Sequence, residues 1–292
     1  MNSEIRKTLE AVKNGELSVD DALLAIKKEP FEDIGYAKVD LHRGIRQGAA
    51  EVIYGAGKTP EQMIGIIGAM EQEVAKIKEK MQDVTITSRA RMDFYEGTLE
   101  GKKVVVVRSG IGKVNAGMCT QILADLFDVT HIINTGIAGS LDAQIDIGDI
   151  VVSTDVLQHD MDVRVFGYPL GEIPQLGTLS FPADERMASL AKSVCEKVNT
   201  EVKVFSGRIV SGDQFICDKE VKDKLVENFH PLCTEMEGAA IGQAAYLNEI
   251  PFVILRAISD KADNSAEMDY PTFEKKAAEH CAKLVEEFIV EL

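Results

Sequence analysis

Apolar residues in this chain fall into two kinds of pattern. Near the start they recur at helical spacing: Ile5, Leu9 and Val12, then Ala22, Leu23 and Ile26. That period predicts two short amphipathic helices. Asn14-Gly15 is a stop signal after the first and Pro30 after the second. Ser18, followed three residues on by Asp21, resembles a capping box with Asp in place of Glu. Residues 31–59 carry five glycines and little periodicity, which predicts an ordered loop or docking segment. From Met63 onward the apolar residues instead form continuous blocks: 63–69, 104–107, 131–134, 149–153, 202–210 and 251–255. Such blocks are the mark of strands buried on both faces. Helical patterns at 114–127, 185–198, 219–229 and 237–247 separate several of them, and 272–291 closes the chain as an amphipathic helix. Strands alternating with helices predict a three-layer α/β/α sandwich on a mixed, mostly parallel sheet. The expected organisation is a small helical extension, residues 1–62, before one large domain, residues 63–292.

Composition narrows the partners. Of 292 residues, 48 are acidic and 32 basic, a net charge of −16. A chain that tracks phosphate backbones carries a basic face, so nucleic acid and anionic membranes are not expected partners. A small, weakly charged ligand stays open. The five cysteines are scattered with no C-x-x-C, which fits a reduced setting and no metal or disulfide framework. Neither a signal-type apolar core near the start nor an apolar run of about 20 residues occurs. The expectation is a cytoplasmic protein with no metal or organic cofactor.

Ligands on sheets of this kind sit beyond the carboxyl ends of the strands. Those ends read Ala69-Met-Glu-Gln-Glu73, Ser109-Gly-Ile-Gly112, Asn134-Thr-Gly-Ile-Ala-Gly139, Ser211-Gly-Asp-Gln-Phe-Ile216 and Arg256-Ala-Ile-Ser-Asp260, with Glu235-Met-Glu237 before a helix. Taken singly, each has a plain structural reading. Ser211-Gly-Asp213 makes a turn, and Glu235 and Glu237 suit a helix N-terminus. Their joint occurrence at successive strand ends points to one rim on which Glu73, Glu237 and Asp260 converge.

In this order, the segments closely resemble the methylthioadenosine/adenosylhomocysteine nucleosidases of the nucleoside phosphorylase superfamily, from Ile64 to the C-terminus. The resemblance implies hydrolysis of the N-glycosidic bond of 5′-thio-adenosines by a homodimer. It implies that Asp260 protonates purine N7. It implies that Glu73 polarises the attacking water with Arg256 nearby, and that Glu237 grips the ribose hydroxyls. It further implies that Phe215 stacks on adenine, that Ile216 offers main-chain hydrogen bonds, and that Met236 packs on the sugar. Ala69, Ser259 and Val163 complete the expected binding set. Ile111, with Phe166 and Pro174 from a partner subunit, would hold the 5′-alkylthio group. Tyr270 stands where the family often has Phe on a flap helix, and Ile137 where some members have Ser near the water.

The chemistry asks for these groups. Adenine leaves slowly as an anion, so a carboxylic acid at N7 helps, typically by about 10²–10⁴-fold. The ribose becomes cation-like as the bond lengthens, and carboxylates stabilise that charge. Clustered acids repel one another's charged forms, so at least one pKa is expected to rise, letting Asp260 hold a proton near neutral pH. A phosphorylase would need basic groups at the first strand end, yet Glu71 and Glu73 stand there, with no cation before Lys76. A nucleosidase for another 5′ group (5′-deoxyadenosine, aminodeoxyfutalosine), a nucleoside phosphorylase, and a silent nucleoside sensor remain as alternatives.

Most of residues 3–62 departs from that pattern. It resembles the N-terminal region of the carboxylase/hydrolase that acts on nicotinic acid adenine dinucleotide in nickel-pincer cofactor synthesis. Asp40, His42, Arg43 and Arg46 form its polar cluster. They read either as a nucleotide-recognition element or as part of a structural appendage.

Overall fold

The structure, a computed structural model, describes residues 3–19, 21–23, 31–33, 38–40, 62–263 and 266–292. The chain divides into two compact units, Met1–Pro60 and Glu61–Leu292. In the first, the spacing of Ile5, Leu9 and Val12 becomes helix α1, Ser3–Lys13. Ser18 Oγ accepts from the Asp21 N–H at 3.1 Å and donates to Asp21 Oδ2 at 2.6 Å, so one arm of the expected capping box is present. The helix it starts is described only to Leu23. Within the segment expected to be a loop, β1 (Phe31–Asp33) and β2 (Lys38–Asp40) pair antiparallel. His42, Arg43 and Arg46 lie outside the described residues.

The second unit holds the predicted strands as β3 (Met63–Gly68), β6 (Lys102–Arg108), β7 (His131–Ser140), β8 (Ile150–Gln158), β10 (Val204–Ser211) and β12 (Phe252–Asp260). Unpredicted are helix α2 (Glu71–Lys80) and strands β4 (Gln82–Arg89), β5 (Met92–Leu99), β9 (Phe181–Pro182) and β11 (Cys233–Glu235). Their shared feature is a weak apolar signal. Strand β4 is solvent-facing along nearly its whole length, and α2 is mostly charged. The other helices are α3 (Lys113–Phe127), α4 (Glu185–Val198), α5 (Lys219–Phe229), α6 (Gly238–Leu247) and α7 (Ala266–Glu291). The last begins six residues before the expected start, with Pro271 in its second turn.

Strand order is β11-β10-β8-β12-β7-β3-β6-β5-β4, with β9 beside β8. The pairs β6–β3, β3–β7, β7–β12, β8–β10 and β10–β11 are parallel. The pair β12–β8 and the β4–β5–β6 meander are antiparallel. Strand β11 also pairs with β7, so β7, β12, β8, β10 and β11 close on themselves. Two apolar layers flank the sheet. One joins Val74 and Ile77 of α2, Met187 and Val194 of α4 and Leu284 and Phe288 of α7 to strand residues such as Ile66, Val106 and Leu255. The other joins Ala116 and Leu123 of α3 and Ile241 and Ala245 of α6 to Ile67, Val105 and Ile254. Successive strand residues face opposite layers, which is why each strand reads as an unbroken apolar run. Among the described residues, no helix is long and apolar enough to cross a membrane.

Candidate active site

The first N–H groups of a helix have no partner within it. At three helices here, carboxylates supply one. Glu73, in the first turn of α2, folds back so that Oε2 accepts from the N–H of Ala69 at 2.7 Å and of Met70 at 2.9 Å. Its Oε1 accepts from the Ile137 N–H on β7 at 3.2 Å. At α3, the Gly112 N–H donates to Glu237 Oε1 at 2.8 Å and the Lys113 N–H to Asp213 Oδ1 at 2.8 Å. Gly112 sits at φ 97°, a conformation open chiefly to glycine. At α6, Glu235 accepts from the Glu237 and Gly238 N–H groups, while Ser211 Oγ accepts from Ala239. Asp260 ends β12, with Oδ2 accepting from Ser259 Oγ and Oδ1 from the Ala262 N–H, both at 2.8 Å.

Helix and strand ends thus meet around one cavity of about 470 Å³, a size usual for small-molecule sites. Ala69, Glu73, Ile111, Phe215, Ile216, Met236, Glu237, Ser259 and Asp260 all line it. Met70, Ile137, Gly139, Gln214, Thr234 and Glu235 complete most of the remaining wall. Phe215 is 48% exposed at the mouth, whereas Ile216 is buried.

Beneath the cavity runs a buried charge network. Arg256 Nη2 donates to Glu235 and, at 2.5 Å, to Asn134 Oδ1, while Nη1 reaches the Leu255 carbonyl at 3.2 Å. Ser211 donates its hydroxyl hydrogen to Glu235 as well. Gly136 makes room for this meeting. A Cβ there would stand 2.5 Å from Glu73 Oε1 and 2.9 Å from Arg256 Nη1.

These partners set the charges. Burial pushes the Glu235 carboxyl up, but the Arg256 charge and the hydrogen bonds from Arg256 and Ser211 outweigh it, so its pKa lies below the ordinary value. Burial raises Glu237 to about 8, helped by repulsion from Glu235. Burial also raises Glu73, against the pull of Arg256 and three backbone donors. The rise expected within the acid cluster therefore falls on Glu237 and Glu73.

Arg256 does not line the cavity; it lies behind the carboxylates, paired to Glu235. Val163, Phe166 and Pro174 do not line it within their own chain, and Phe166 is 77% exposed. The side chain of Tyr270 lies outside the described residues. Sequence reasoning passed over the network of Asn134, Ser211 and Glu235. The available signal was Arg256 itself: an arginine inside an otherwise apolar strand needs a buried acceptor set.

A sequence model of the phosphorylase superfamily matches residues 63–290. Fold and carboxylate-lined cavity together define a member of that superfamily. The 5′-methylthioadenosine/S-adenosylhomocysteine nucleosidase of Staphylococcus haemolyticus is 42% identical over 228 residues, 78% of this chain and 99% of that protein. The nucleosidase of the same name from Neisseria meningitidis, solved with methylthio-immucillin-A, is 40% identical with TM-score 0.77, covering 79% of this chain and 100% of that one. The futalosine hydrolase of Helicobacter pylori is 35% identical with TM-score 0.76, covering 80% and 99%. The chain belongs to the 5′-methylthioadenosine/S-adenosylhomocysteine nucleosidase family of the phosphorylase superfamily.

Proposed function

We propose that residues 63–292 hydrolyse the N-glycosidic bond of 5′-methylthioadenosine and S-adenosylhomocysteine. The products are adenine and the 5-thioribose compound, as methionine salvage and the activated methyl cycle require. The carrying observation is that Glu73, Glu237 and Asp260, far apart in sequence, line one cavity. In this reading Phe215 stacks on adenine, Ile216 offers its main chain to the base, and Asp260 delivers a proton to N7. Met236 packs on the sugar and Glu237 takes its 2′- and 3′-hydroxyls. Glu73, fixed by three backbone N–H groups, orients water at C1′ and accepts its proton. A buried Glu237 with its pKa near 8 gains most from a positive charge, so cation development on the ribose favours its ionised form. That interaction strengthens on the way to the transition state, which is what accelerates a reaction.

Hydrolysis is favoured over phosphorolysis because, among the described residues, no lysine or arginine lines the cavity, and Arg256 is engaged by Glu235. A phosphate dianion there would face carboxylates. The exposed Phe166, with Val163 and Pro174, supports a homodimer in which these residues close the 5′ side of the partner's cavity, with Tyr270 on a flap. Four buried free cysteines, Cys119, Cys195, Cys233 and Cys281, suit a reduced cytoplasmic setting. Residues 1–62 precede the family match and form a structural appendage in this reading. Deleting Met1–Glu61 decides whether this segment has a binding role: unchanged kinetics and assembly would remove it. The test of the activity is adenine release from methylthioadenosine with and without phosphate. Equal release in both supports hydrolysis; release that needs phosphate, or none, overturns it.

A further inference from the structure

Asp213 does not line the cavity, although Gln214, Phe215 and Ile216 after it do. Its side chain turns instead to the start of α3, where Oδ1 accepts from the Lys113 N–H at 2.8 Å. The preceding amide, that of Gly112, donates to Glu237 Oε1. Adjacent amides at one helix start are thus divided between Asp213 and a rim carboxylate. We propose that Asp213 is a positioning residue: by fixing the Lys113 amide it holds the Gly112 N–H on Glu237, and so sets where that carboxylate meets the sugar. The proposal rests on the functional reading above and deepens it, because Glu237 is the group assigned there to the ribose hydroxyls.

The backbone around Asp213 is pinned on both sides. The Gly212 N–H donates to the Glu235 carbonyl at 3.1 Å, which ties the loop to the strand end that leads into Glu237. The Asp213 N–H donates to Asp160 Oδ2 at 3.0 Å. Asp160 Oδ1 accepts from Lys113 Nζ at 2.5 Å, and Nζ also donates to Gln158 Oε1 at 2.9 Å. From the Lys113 amide to Asp213, on to Asp160 and back to the Lys113 ammonium, these contacts form a closed ring. It joins the start of α3 to the segments that follow β8 and β10. The side chains of Lys113 and Asp160 are 17% and 19% exposed, so salt screens their pairing less than it screens a surface pair. Burial pushes the Asp160 carboxyl up, but Lys113 and the Asp213 N–H outweigh it, and its pKa lies below the ordinary value. Gly112 completes the fit: a Cβ there would stand 3.1 Å from Asp213 Oδ1. Placement of this kind matters to rate, since a misplacement of about 1 Å can cost about 10²-fold. A plain helix cap would hold α3 without acting on Glu237, and that difference is measurable.

The test is a double-mutant cycle on the full chain, read by adenine release from methylthioadenosine and by amide hydrogen exchange at Gly112. Asp213→Ala should lower kcat/KM about five- to tenfold, the scale of a lost helix cap. Asp213→Asn keeps an oxygen for the Lys113 N–H and should stay within about twofold of wild type. In a Glu237→Ala background, where the carboxylate it acts through is gone, Asp213→Ala should cost less than about twofold. Exchange at Gly112 should quicken about five- to tenfold in Asp213→Ala and hold at the wild-type rate in Asp213→Asn. An equal kinetic loss with and without Glu237 overturns the proposal, because a plain cap or a shifted Phe215 loop gives that result. Wild-type kcat/KM in Asp213→Ala, or unchanged exchange at Gly112, overturns it too. Should Asp213→Ala not fold, Lys113→Met opens the ring from its other side and the same cycle decides. Failure of the wild type to release adenine would sink the functional reading, while exchange at Gly112 still decides whether Asp213 holds that amide.

Discussion

Glu235 and Glu237 stand two residues apart, equally buried at 7% and 6% exposed, yet their carboxyl pKa values are pushed in opposite directions. Glu235 belongs to the floor, where Arg256, Ser211 and the first N–H groups of α6 surround it and keep it ionised. Glu237 belongs to the rim, where the Gly112 N–H donates to it and Glu235 repels it, so burial prevails and the carboxyl is raised to about 8. Depth alone does not fix protonation. Ownership of the single guanidinium does. The floor uses its charges to tie four strands together, β7, β10, β11 and β12, while the rim's carboxylates line the cavity.

Breaking the rim should have the largest effect on rate. Glu73→Gln keeps the side chain's shape and removes its capacity to accept a proton. Steady-state kinetics on methylthioadenosine should show kcat down about 10²–10⁴-fold with KM little changed. Breaking the floor should act on stability instead. Glu235→Gln strands Arg256 as a buried, uncompensated charge, and urea unfolding should report a loss of about 3–5 kcal/mol.

Next comes the rim's pH dependence. The folded pKa of Glu237 lies near 8, above the ordinary 4.5, so between those values the folded state binds the proton that the unfolded state releases. Stability from this group is intact below about pH 4.5 and declines as pH rises to 8. Glu237→Gln should therefore be more stable than wild type by roughly 1–3 kcal/mol at pH 9, with the gap closing near pH 4. If the gap stays constant with pH, the assigned rim electrostatics are wrong. Smallest of all is Ile137→Ser. Ile137 meets Glu73 through its backbone N–H, which the substitution retains, so kcat/KM should change by less than about tenfold.

The same contrast explains what was legible in the sequence. Rim residues such as Glu73, Asp260 and Phe215 stand at the ends of apolar strand runs, so finding β3, β10 and β12 was enough to place them side by side. Most of the sandwich was readable for the same reason: its strands are buried on both faces. The floor was not readable. Asn134 and Arg256 lie within strands, and Glu235 reaches them only because β11 pairs with both β10 and β7, a closure that no local pattern encodes. The β4–β5 hairpin was missed because β4 faces solvent.

Under the proposed function, Asp260 donates the proton to the leaving purine. Its most direct test is adenine release by Asp260→Asn at saturating methylthioadenosine, measured beside the affinity of that variant for the same ligand. Release at least about 100-fold slower, with affinity within a fewfold of wild type, is the expected result. Release at the wild-type rate would contradict it.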